Sequence, residues 1–117
     1  MAIVRGKLAD IQTISNTTGV IYANATGEDT FIGGVTLHNT NTTTETVQVF
    51  NVPDNSGSVG TAAITHRFIC VDLAANATIS YPFPGDGIPL TDTNDSIQAS
   101  STTAGKVTIQ LSGPKQV

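Results

Sequence analysis

Two histidines, one cysteine and a run of acidic side chains are the residues of this 117-residue chain best equipped to hold a metal or start a reaction. His38 and His66 fall at or inside strand-like runs and make no HxxxH or HxH spacing, and the lone Cys70 leaves no CxxC. In one extended strand the step from His66 to Cys70 covers about 13 Å, too far for both to reach one ion. His38 and His66 form a ligand pair only if strand pairing brings them together, and ordinary surface positions are the plainer expectation. Cys70 sits in the apolar run Phe68-Ile69-Cys70-Val71 and reads as a buried small hydrophobe rather than a nucleophile. The stretch holding Asp86, Asp92, Asn94 and Asp95 offers oxygen ligands for calcium, but it lacks the D-x-D-x-D-G spacing and the closing glutamate. Asp and Asn also initiate turns through their own backbone, which explains the same residues without an ion. Gly33-Gly34 falls inside a strand pattern, so it marks a bulge or a close approach rather than a phosphate loop. No G-x-S-x-G elbow is present. The residues imply no catalytic site, cofactor or metal, and the chain reads as non-enzymatic.

Composition narrows the class further. Charged residues are 12% of the chain, about half the usual share. Their place is taken by 19 Thr, 8 Ser and 8 Asn. A net charge of −4, with five Lys and Arg and no basic cluster, argues against nucleic acid as a partner. No apolar run approaches the roughly 18 residues needed to span a bilayer, so a membrane is not implied. The opening residues Met1 to Asp10 carry charges where a signal peptide needs its apolar segment, so export by that route is not expected. Asn16, Asn24, Asn41, Asn76 and Asn94 head N-x-S/T sequons, which an Asn- and Thr-rich chain produces by chance. With one cysteine there is no internal disulfide, and stability must come from burial or from partners.

Nearly every segment alternates with a period of two, and β-branched residues suit a pleated, half-buried surface. The pattern predicts strands over 20–24, 31–39, 45–52, 62–71, 77–83, 96–100 and 106–112, separated by Gly-, Asn-, Asp- and Pro-rich turns. Seven or eight short strands argue for an all-β fold, an antiparallel β-sandwich of jelly-roll or immunoglobulin-like type. Inward sets follow from the alternation: Val107, Ile109 and Leu111; Ile97 and Ala99; Val47 and Val49; Val35 and Leu37; Ile79, Tyr81 and Phe83, with Ile64 and either Phe68 or Ile69 added to the core. Thr102 to Gly105 is a loop of hairpin length between the last two strands. The organisation expected is an N-terminal arm or extra edge strand over 1–19, a sandwich domain over 20–113 and a tail over 114–117. An arm can dock on a neighbour's unpaired strand edge. Ile3, Arg5, Lys7 and Leu8 are its candidate partner-binding residues, with Arg5 and Lys7 aimed at an acidic surface. Deleting Met1 to Leu8 is then expected to leave a folded domain that no longer binds its partner.

The runs Asp29 to Asn41 and Thr44 to Pro53, the long strand Ala62 to Asp72, and the ending Asp95 to Gly113 together resemble the small β-sandwich virion proteins of tailed bacteriophages. The resemblance spans roughly residues 18 to 113 and consists of strand and turn residues. It implies a capsid decoration or cement protein on the outer capsid surface, commonly a homotrimer, with the major capsid protein as partner. A neck, tail or fibre component is the alternative within that class. A carbohydrate-binding sandwich is the alternative outside it. Such modules stack sugars on exposed aromatics. Here Tyr22, Phe31, Phe50, Phe68, Tyr81 and Phe83 fall mostly at expected core positions.

Overall fold

A computed structural model describes residues 3, 4 and 6–116. Alternating Val, Ile and Leu against Thr, Ser and Gln forms strand almost wherever it occurs. In chain order these are β1 (Ile3–Val4), β2 (Lys7–Thr13), β3 (Gly19–Ala23), β4 (Asp29–Ile32), β5 (Gly34–Asn39), β6 (Glu45–Val52), β7 (Arg67–Leu73), β8 (Thr78–Pro82), β9 (Ile88–Leu90), β10 (Ser96–Ser101), β11 (Val107–Ser112) and β12 (Lys115–Gln116). All their pairings are antiparallel.

Eight of the strands make the sandwich, in sheets ordered β2-β11-β5-β8 and β3-β10-β6-β7. Each strand's successor lies in the opposite sheet at the matching place: β2 over β3, β11 over β10, β5 over β6 and β8 over β7. That order is a jelly roll, not the immunoglobulin arrangement in which consecutive strands pair within a sheet. The chain is thus an all-β antiparallel sandwich. Its strand count exceeds seven or eight because four short strands, in the order β1-β12-β4-β9, form a third sheet. This sheet lies at the end opposite the corners that join the two large sheets.

Two large-sheet features depart from the sequence reading. Thr102 to Gly105 is a corner rather than a hairpin, since β10 pairs with β3 and β6 while β11 pairs with β2 and β5. Loop length is the same for both solutions; only tertiary pairing separates them. The expected strand 31–39 is divided at Gly33, where β4 turns into the end sheet and β5 into the sandwich. The Gly33 amide donates to Ser112 O at 2.8 Å, and Phe83 donates to Gly33 O at 3.0 Å. Gly87 and Gly113 press on this junction with φ of +87° and +151°. A Cβ on either would collide with the carbonyl oxygen of Ile32 or Phe31, so only glycine fits.

The core lies between the sheets. Val35, Leu37, Val47, Val49, Ile97, Val107, Ile109 and Leu111 are all 0–1% exposed. Burial of each contributes about 1.5–3 kcal/mol. Ile79, Tyr81 and Phe83 pack against the core but stay half-buried, because β8 is an edge strand. Ser96, Gln98 and Ser100 do face away from Ile97 and Ala99, yet they are buried. The loop after β6 folds over that outer face: Gln98 Nε2 donates to Gly60 O at 2.9 Å, and Phe50, opposite Gln98, is covered too.

Polar clamps close both ends. Asn39, fully buried, donates from Nδ2 to Thr43 O, Leu73 O and Ala74 O at 3.0–3.2 Å, joining two corners. Glu45, 1% exposed, accepts the Thr103 amide at 2.8 Å and Asn41 Nδ2 at 3.0 Å, joining a third. At the other end buried Asn24 accepts Thr30 Oγ1 at 2.6 Å and donates to Glu28 O at 2.7 Å.

Candidate functional site

The residues singled out for chemistry do not converge. His38 stands on the outer face of the β2-β11-β5-β8 sheet, its Nδ1 2.6 Å from Thr78 Oγ1. His66 is not in a strand: it closes a 3-10 turn over Ile64–His66 that precedes β7, and its Nδ1 accepts the Ala63 amide at 3.2 Å. The strand expected to begin at residue 62 therefore begins at Arg67, and Ile64, expected in the core, is carried outward on the turn and exposed. The sandwich core separates the two histidines, so they share no site. Asp95 is taken up as a turn clamp, its carboxylate accepting the amides of Thr91, Asp92 and Asp54 at 2.8–3.2 Å. Among the described residues no three His, Cys, Asp or Glu side chains gather as metal ligands.

Cys70 is exposed, against the expectation of burial. Its neighbours Ile69, Val71 and Leu73 take the inward places of β7, so alternation turns Cys70 outward. The pairing with β6 shifts between Ile69 and Arg67, and the extra residue, Phe68, packs on Phe83 with ring centroids 5.8 Å apart. An unbroken apolar run had hidden this parity.

A cleft of about 280 Å³ lies beneath the 53–61 loop, with His66 at its rim. The ionisable groups there are committed to the loop itself: Asp54 accepts the Gly57 amide at 3.0 Å, and His66 accepts that of Ala63.

The expected N-terminal docking residues are dispersed. Ile3 is joined by its backbone to Gln116 in the end sheet, and Arg5 lies outside the described residues. Lys7 and Leu8 belong to β2, an edge strand of the sandwich. Lys7 pairs with Asp10, whose carboxyl is held below its ordinary 3.8 by the hydrogen bond and charge of Lys7. Leu8 packs against the core. Removing residues 1–8 would therefore cut into the sandwich as well as any arm.

What the elements do assemble is a surface. Thr13, Thr108, His38 and Thr78 stand in one row across all four strands of the β2-β11-β5-β8 sheet. Gln110, Thr36 and Ser80 form the next row, with Thr36 and Ser80 hydroxyls 3.1 Å apart. The opposing sheet is roofed by its loop, whereas these two rows present hydroxyl and amide groups beside the His38 ring, and the charges on this side, Lys7 and Asp10, stand on the edge strand β2 and pair with each other. Composition announced such a surface through its Thr content; only strand parity and the loop's position say which sheet carries it.

No family model matches the chain, and no curated protein matches it. Among solved structures it is similar to a chain of the Bacillus endospore appendages, described as a novel family of disulfide-linked pili. The TM-score is 0.54 at 18% identity, covering 98% of this chain and 88% of that one. At that identity the likeness is one of fold.

Proposed function

We propose that the chain is a non-enzymatic structural subunit that acts by covering other protein subunits, as a capsid decoration protein on the outer surface of a phage head. The single observation that carries this reading is the open face of the β2-β11-β5-β8 sheet, with its two neutral rows of hydroxyl and amide groups. Neutral hydroxyl and amide groups pair across an interface without the desolvation cost of charges. A four-stranded face held by buried corner clamps is already ordered before contact, so little freedom is lost on docking. The virion resemblance adds the major capsid protein as the partner and a homotrimer as the decorating unit.

The fold shared with an appendage protein favours a second reading, a subunit of an extracellular filament. One cysteine per 117 residues allows one interchain disulfide, enough to pair two copies and too few to string a chain of them. A filament of this subunit would be held by buried faces and strand edges.

Immunogold labelling of virions and cell-surface filaments from a culture expressing the chain separates these readings. Label spread over heads supports decoration. Label at a neck or tail, or along filaments, replaces decoration with that location. Antigen found only as free protein refutes every assembly reading.

A further inference from the structure

The free edge of β7 reads the same in both directions. Along it, Thr46, Gln48 and Phe50 of β6 stand opposite Asp72, Cys70 and Arg67. The partners on β6 are two residues apart each time. The shift at Phe68 therefore puts Arg67 one full step from Cys70 on one side, as Asp72 is on the other. All three side chains are exposed and share the outer face of the sheet. Without the bulge Arg67 would face inward, and the acid and base would not be equidistant from the centre.

We infer that β7 is a self-association edge whose occupant is a second copy of this chain, paired antiparallel about a two-fold axis through Cys70. The axis sets Arg67 of each copy against Asp72 of the other, two opposite-charge cross-strand pairs from one operation. Among the described residues both charges have only neutral hydrogen-bond partners, Arg67 Nη1 on Gln48 Oε1 at 3.1 Å and Asp72 accepting Thr46 Oγ1 at 2.7 Å, so each is free to take an opposite charge from the second copy. The same axis lays the end bearing Ile64, 67% exposed, along the partner's exposed Ala74–Ala75 turn. The unpaired amides and carbonyls of β7 are satisfied, giving one continuous eight-stranded sheet. The other edges are less suited: β8 ends in Pro82, β3 carries no charged side chain, and the charges of β2, Lys7 and Asp10, pair with each other. A two-fold contact closes on itself and stops at a dimer. The contact is separate from the three-fold contact that the virion resemblance implies: on a homotrimer it would join one trimer to a neighbouring one.

Cys70 is the reporter rather than the site. Directly opposed residues in antiparallel strands have Cα atoms about 4.5 or 5.5 Å apart, and both values lie in the disulfide range of about 4.4–6.8 Å. Oxidised glutathione supplies the oxidant: two Cys70 thiols become one interchain disulfide as one glutathione disulfide becomes two thiols.

The test compares wild type, Arg67→Asp and Asp72→Arg, each checked for unchanged circular dichroism, for dimer formation in a glutathione redox buffer on non-reducing gels. Each single variant faces like charge with like twice, and its own dimer should form about tenfold more slowly. Mixing the two variants restores both opposite pairs in the heterodimer. The mixture should therefore recover dimer at close to the wild-type rate, with tagged chains showing it to be mixed. Sedimentation of Cys70→Ser should still show a concentration-dependent dimer, absent in Cys70→Ser/Arg67→Asp. Equal cross-linking in all samples, or no preference for the heterodimer, would mean chance thiol collision and overturn the assignment.

Discussion

Replacing Glu45 by glutamine tests whether the corner clamps hold the two sheets together. Burial alone pushes the Glu45 carboxyl up. Hydrogen bonds from the Thr103 amide and side chain and from Asn41, with the charge of Lys106, outweigh this and hold it below its ordinary 4.5. Glutamine keeps the volume but makes both bonds neutral and turns an amide group towards Asn41 Nδ2. Hydrogen bonds to charged groups contribute about 1.5–3 kcal/mol and neutral ones about 0.5–1.5, so Glu45→Gln should lose about 1–3 kcal/mol near neutral pH. In a domain of this size that is a fall in Tm of roughly 4–12 °C. The folded-state pKa lies below the unfolded one, so the stabilisation is present above 4.5 and lost as pH falls through the lowered value. The gap between wild type and variant should be widest near neutrality and close in acid. Urea unfolding followed by circular dichroism at several pH values measures it. A variant as stable as wild type at neutral pH, or a gap that stays constant into strong acid, refutes the clamp.

Asn39→Ala leaves the Thr43, Leu73 and Ala74 carbonyls without their shared donor and should cost about 2–4 kcal/mol, read from the same unfolding curves. Gly113→Ala forces a Cβ against Phe31 O at a positive φ, and a loss above about 2 kcal/mol or failure to accumulate soluble protein is expected. Lys7→Ala removes a highly exposed, solvent-screened ion pair and should leave the unfolding midpoint unchanged. Thr108→Arg, at the middle of the open face, should leave the unfolding midpoint nearly unchanged while abolishing co-sedimentation with the particles that immunogold identifies.

Fold class was legible because its signal is local. Val107, Ile109 and Leu111 alternate with Thr108 and Gln110, and every one lies as the period of two requires. The jelly-roll order was not, since a four-residue loop such as Thr102 to Gly105 serves a hairpin or a corner equally well. Cys70 and His66 were misplaced for one reason: in the run 62–71 both alternations are apolar, so the sequence contains no parity to read. The bulge at Phe68 and the 3-10 turn before Arg67 settle it through packing on Phe83 and capping by Ala63. The strand β9 was hidden by Pro89 and by the Pro84, Gly85 and Gly87 before it, which mark turns locally, yet Ile88, Pro89 and Leu90 pair with β4. Nor can composition tell an exposed Thr face from a roofed one, because the roof is a loop folded back from 53–61.

Face and edge act in different directions, and this bears on how such a subunit could bind. A two-fold that joins β7 edges runs perpendicular to the sheet, so it turns the open faces of both copies the same way. A contact too weak to hold one copy then becomes effective, because the second face docks from the same rigid body at high effective concentration. That gain depends on the sheets not shifting against each other, which links the buried Asn39 and Glu45 at the corners to binding at a face they never touch. It also makes a single charge on that face count twice. Cross-linking the dimer through Cys70 should therefore tighten binding of the wild type and fail to rescue Thr108→Arg.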